Sequence, residues 1–238
     1  MRMLLRIGLF GFGAVTLALI VGFGWFFFDS RGLPDTQAVA MFAPETETYV
    51  SDPCIKAASI AIPYDAFGVN MRAALSAAVV REDDPSVVTE RYRGFTDKGR
   101  LHRATLSLHI SRTMFCGPSK PLNRLLDELR GAVQLERRFS RRQLFTILAN
   151  RLSFGEDQVG VKAASQLYFH REPSQLAIGE AALLAGLVKA PSYFSPMKHP
   201  DRALQRRNEV VDAMAKTGAI SESEATTAKS TPLAIIRN

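Results

Sequence analysis

The sequence predicts a mostly α-helical domain behind an N-terminal transmembrane helix, and three observations carry that expectation. Residues 7–28, IGLFGFGAVTLALIVGFGWFFF, form an uncharged run long enough at the helical rise to cross a bilayer. Further on, apolar residues recur at helical spacing, most clearly at Leu122, Leu125, Leu126, Leu129 and Val133. Two stretches, Ser140 with Gln143 and Ser221 with Glu224, have the spacing of capping boxes that open helices.

Taken in order, Arg2 and Arg6 precede the apolar run, so the positive-inside rule places residues 1–28 as a cytoplasmic N-terminus and membrane anchor. A cleaved signal peptide is the rival reading. Ala38-Val39-Ala40 has the small-residue form of a cleavage site, but it lies too far beyond an apolar run already too long for a leader. Residues 29–60, punctuated by Pro and acids, read as a linker with a short strand near Tyr49. Residues 61–220 read as the folded domain and 221–238 as a C-terminal tail that opens with a short helix.

Within the domain, the Ala-rich stretch from about residue 68 is helical and ends at Arg81-Glu82-Asp83-Asp84-Pro85. Residues 89–103 are polar and loop-like, 104–115 favour helix, and 117–121 form a turn. Helices are then expected over 122–139, from Arg141 to before Gly155, over 159–169, 176–190 and 201–217, with Gly218 as the residue that closes the last of these. Glu180 falls among Leu176, Leu183, Leu184 and Leu187 on an apolar face, which calls for a basic or backbone partner.

The formal net charge of +7 suits an anionic partner: nucleic acid, acidic lipid or a phosphorylated substrate. Arg91, Arg93, Lys98, Arg100 and Arg103 crowd the loop-like stretch, where they either attract anionic headgroups or are simply solvated. There is no Cys/His spacing of a metal site, and the two cysteines, Cys54 and Cys116, either pair in an oxidising compartment or stand as unrelated thiols. For Glu82 the choice lies between a solvated helix-end charge and an acid–base group.

Residues 122–169 and 176–214 resemble the peptidoglycan glycosyltransferases, glycosyltransferase family 51, in its monofunctional, single-span form. Asn150 with Gly155 and Gly160, Ala163-Ala164 before Tyr168-Phe169, and EAALLAGLVKAP carry the likeness. It implies a lysozyme-like helical domain on the periplasmic side of the bacterial inner membrane. It also implies polymerisation of a lipid-linked disaccharide-peptide precursor by inverting transfer, with polyprenyl pyrophosphate leaving.

By the same resemblance Glu82, with Asp83 beside it, is the general base, and Glu128 is the second essential carboxylate, on the pyrophosphate side. Arg112 stands at a phosphate-contacting Lys position and Arg124 opens the motif that contains Glu128. Thr105, Ser107, His109 and Asn150 complete the expected substrate contacts. A divalent cation, Mg or Mn, sometimes assists members of this family. The expected partners are the precursor, the growing glycan chain, the membrane and other cell-wall synthases, and not nucleic acid.

Several positions depart from the family pattern. Ser86 and Thr89 replace a Phe and a His, His102-Arg103 replaces a Gly-Gly or Gly-Ala opening, and Leu125 replaces a Lys. A catalytically degenerate scaffold on the same fold, binding precursor or wall synthases, is therefore the alternative reading.

Overall fold

The computed structural model describes residues 38–50, 59–79, 98–114 and 121–232, together with 21, 22 and 25. The apolar run 7–28 lies almost wholly outside the described residues, as do Cys54, Cys116 and the acidic stretch Glu82-Asp83-Asp84. Among the described residues no helix is long and apolar enough to cross a membrane.

The expected mostly α architecture is what the chain adopts. A two-stranded antiparallel ribbon, β1 (Thr48–Val50) and β2 (Ser59–Ala61), pairs Tyr49 with Ile60. The helices are α1 (Gly68–Val79), α2 (Lys98–Met114), α3 (Pro121–Arg138), α4 (Arg141–Arg151), α5 (Val161–Phe169), α6 (Ile178–Leu187), α7 (Pro200–Lys216) and α8 (Glu222–Ser230). Short 3-10 turns at Ala38–Phe42, Tyr64–Phe67 and Pro173–Gln175 join them.

Two groups of helices share one core. In the first, α6 packs between α1 and α7; in the second, α2 lies against α3 and α4. The reason for the central place of α6 is its sequence. Ala181, Ala182, Leu183, Leu184, Ala185 and Leu187 leave no polar face, so the helix must be enclosed on all sides. Gly186 permits the closest approach of α7: a Cβ there would lie 2.8 Å from Cγ of Arg206. Glu180 finds both kinds of partner that its apolar setting requires. Arg171 Nη1 donates to its two oxygens at 3.2 Å each, and the Ala177 amide donates to Oε2 at 2.9 Å.

Both expected capping boxes form, Ser140 with Gln143 at the head of α4 and Ser221 with Glu224 at the head of α8. Gly218 closes α7 at φ 71, a left-handed conformation that costs glycine least. The Gly218 amide reaches the Ala215 carbonyl and the Ala219 amide reaches that of Met214, the paired bonds of a Schellman ending.

Three expectations need adjustment. Helix α2 begins at Lys98, inside the stretch expected to be a loop. Lys, Arg and Leu are good helix formers, and extending an existing helix is far easier than starting one. The stretch expected as a linker is partly built into the domain, because Val39 and Phe42 are buried in the core and β2 supplies a second strand. The tail likewise packs: Ala225 and Ala228 of α8 are buried. Arg207 of α7 is also buried, and its Nη1 and Nη2 donate to the carbonyls of Thr231 and Lys229 at 2.9 and 2.8 Å. These are carbonyls that the end of α8 would otherwise leave unsatisfied. Burial lowers the pKa of this guanidinium.

Tyr168 of α5 is fully buried and donates to the Phe154 carbonyl at 3.0 Å. Burial first, and the nearby charge of Glu156 second, push its pKa up to about 12 from 10.0. Between these values the unfolded chain has released the phenol proton while the native state still holds it. Stability therefore falls as pH rises through that window. Urea titrations at stepped alkaline pH should show this fall in the wild type and a flatter profile in Tyr168→Phe. The variant should also be less stable by about 1 kcal/mol near neutral pH, from the lost hydrogen bond.

Candidate functional site

Helices α2 and α3 run antiparallel, and their seam is polar. Ser107 and Ser111 are four residues apart on α2, so they share one face. Ser107 Oγ donates to Glu136 Oε1 at 2.9 Å, and Ser111 Oγ donates to the Glu128 carbonyl at 2.8 Å. These bonds fix the register of the two helices and bring Arg112 opposite Glu128.

The Glu128 carboxylate is the centre of the arrangement. Its side chain is only 11% exposed. Arg124, one turn earlier on α3, donates from Nε to Oε1 at 3.0 Å. Arg112, across the seam, donates from Nε to Oε2 at 3.2 Å. Each oxygen is thus held by a different guanidinium. A carboxylate so enclosed is costly to bury without such partners.

Two cations on one anion leave the cluster with a net charge of +1. Both arginines spend Nε on Glu128, and among the described residues their terminal Nη groups have no other partner. Their side chains are 33% and 44% exposed, so these donors are accessible. Planar guanidiniums with unspent N–H groups suit phosphate oxygens. The arrangement can therefore accept an anion and neutralise charge that develops on it.

The remaining expected site residues divide. Ser107 is enclosed and paired with Glu136, which gives it a part in the helix seam. His109 is half-buried, one turn before Arg112 on α2. The side chain of Thr105, and Glu82 with Asp83, lie outside the described residues. Asn150 is placed differently from expectation. It is fully buried at the end of α4 and turned to backbone groups. Its Oδ1 accepts from the Ile62 amide at 3.2 Å, and its Nδ2 donates to the carbonyls of Ile62 and Phe42 at 2.9 and 2.8 Å. A substrate would have to break these bonds to reach it. Asn150 is a clasp that holds the 3-10 turn 38–42 and β2 to the helical core.

A metal finds little to bind in the described part of the cluster. Both oxygens of Glu128 are engaged by guanidiniums, and among the described residues no group of three or more His, Cys, Asp or Glu is suited to a metal ion.

Ser111 and Arg151 were not among the expected site residues. The i,i+4 relation of Ser111 to Ser107 was a usable signal. Arg151 carried none, since its partners on α2 and in the 38–42 turn are remote in sequence.

The family model described as transglycosylase matches residues 64–215. Penicillin-binding protein 1A of Aquifex aeolicus is 33% identical over 171 residues, 71% of this chain and 22% of that protein. Penicillin-binding protein 1F of Bacillus subtilis is 34% identical over 154 residues, 64% of this chain and 22% of that protein. A Cupriavidus necator protein provisionally named a transglycosylase is 30% identical over 138 residues, 58% of this chain and 60% of its own. The chain thus spans less than a quarter of the length of the first two relatives.

Replacing Asn150 by Ala leaves the Phe42 carbonyl and both backbone groups of Ile62 without their partners. The expected result is a loss of about 3 kcal/mol or more in chemical denaturation. If Asn150 were chiefly a substrate contact, stability would instead stay within about 0.5 kcal/mol of the wild type.

Proposed function

The chain belongs to the transglycosylase family, and from that premise we propose that it is a membrane-anchored peptidoglycan glycosyltransferase. In this reading it polymerises lipid-linked disaccharide-peptide precursor into glycan chains. The observation that carries the reading is the Glu128 carboxylate held between Arg112 and Arg124, whose terminal N–H groups are unspent among the described residues.

The chemistry follows from those groups. A sugar hydroxyl attacks the anomeric carbon of the neighbouring lipid-linked unit on the face opposite the pyrophosphate. A glycosidic C–O bond forms, the C–O bond to pyrophosphate breaks, and the configuration inverts. Glu82, the general base in this reading, takes the hydroxyl proton. The departing polyprenyl pyrophosphate gains charge, which the Nη groups of Arg112 and Arg124 receive. Glu128 keeps these two guanidiniums side by side, where they would otherwise repel each other. Thr105 and His109 are proposed as further precursor contacts.

The substrate's lipid requires a site next to a bilayer. Residues 7–28 supply the proposed single span, with the domain on the periplasmic side of the inner membrane. The growing glycan chain and other wall synthases are the proposed partners. A divalent cation, Mg or Mn, remains a proposal from the family likeness alone.

The second reading is a non-catalytic precursor-binding scaffold, favoured by Leu125 where the family has a Lys. Polymerisation of purified precursor by the full chain, with and without Mg or Mn, separates the two. The enzyme reading expects polymer from the wild type and a drop of about a hundredfold or more in Glu82→Gln and Glu128→Gln. Tight precursor binding without turnover, unchanged in Glu82→Gln, would establish the scaffold instead.

A further inference from the structure

Arg151 is the last residue of α4, only 3% exposed, and it touches neither Glu128 nor either of its arginines in any bond described above. A guanidinium cannot be neutralised by losing its proton, so its burial needs partners. Two of them are on described residues. Nε donates to Oγ1 of Thr113 at 3.1 Å and Nη2 donates to the Thr113 carbonyl at 3.0 Å. The guanidinium carbon also lies 4.7 Å from the centre of the Phe42 ring, within cation–π range.

Thr113 is the residue after Arg112 in the last turn of α2. At a helix end the carbonyls lack intrahelical partners, and the final turn frays unless something else holds it. The Thr113 hydroxyl turns back to the Ile110 carbonyl at 2.7 Å, so among the described residues its only bond to another helix is the one it accepts from Arg151. The fork of Arg151 therefore pins both the side chain and the carbonyl of the residue adjoining Arg112.

We propose that Arg151 is a positioning residue for the Arg112–Glu128–Arg124 cluster, acting through Thr113, with the Phe42 ring as its brace. The proposal rests on the glycosyltransferase reading for its effect on turnover, but the placement of Arg112 can be measured without it. Asn150 grips the Phe42 carbonyl while Arg151 lies on the Phe42 ring. The last two residues of α4's final turn thus join the chain segment leading from the N-terminal apolar run to the turn that carries Arg112.

The test uses the full chain in detergent micelles with arginine labelled at Nε, whose N–H resonance reports hydrogen bonding. Arg151→Lys keeps the charge but cannot make the two-pronged contact. The expected result is a move of the Arg112 Nε–H signal towards that of a solvated arginine. It comes with a fall of about ten- to a hundredfold in kcat and little change in KM for the precursor. Thr113→Val should reproduce the loss, and the double variant should lose no more than either single one. If Arg151→Lys fails to fold, Thr113→Val carries both readouts.

An unmoved Arg112 signal in a folded variant overturns the placement, whether or not the wild type polymerises glycan. A moved signal with kcat within about twofold of an active wild type overturns the role in turnover. A moved signal in a chain whose wild type makes no polymer leaves the placement standing and defeats the glycosyltransferase reading.

Discussion

Enclosing the Glu128 carboxylate at the α2–α3 seam is the constraint on which the site's arrangement depends. An ionised group that far from water needs charge and hydrogen bonds at both oxygens. One guanidinium comes from the same helix, one turn away, and the other must come from across the seam. That second requirement sets the register of α2 against α3, and the serine bonds from Ser107 and Ser111 agree with it. The same constraint holds two like charges together. Arg112 and Arg124 would separate in water, but a shared anion keeps both near the surface.

Away from the site, the domain is tied together by polar side chains that reach backbone groups far along the chain. Asn150 joins α4 to the 38–42 turn and to β2, and Arg207 joins α7 to the end of α8. Apolar packing alone is tolerant of small slips between helices, whereas a buried carboxamide with every group engaged accepts one placement. The Asn150 tie sits where a short, non-helical segment meets the helical core, beside the buried Val39 and Phe42.

Local pattern made much of this legible. The helix announced by Leu122, Leu125, Leu126 and Leu129, the two capping boxes and the C′ glycine at 218 are each decided within a few residues, and each formed. The pairing of Arg124 with Glu128 was readable for the same reason, as an i,i+4 contact. What escaped was non-local. The partners of Asn150 lie at residues 42 and 62, and a three-residue strand such as Ser59–Ala61 has no period to detect. Arg112 was reached through likeness to a family, since nothing around it announces a partner on the next helix. The start of α2 was misplaced because Lys98-Gly99-Arg100 has polar composition that a loop shares.

The Arg207 contacts bear on where this domain ends. The family match stops at residue 215, close to the end of α7, and a boundary drawn there by similarity would look natural. A protein cut at that point would keep a buried guanidinium whose two carbonyl acceptors had been removed, and would uncover the face of α6 and α7 that Ala225 and Ala228 now shield. The packed part of the domain therefore reaches at least to the Thr231 carbonyl. A fusion partner or affinity tag belongs after that residue, not between α7 and α8.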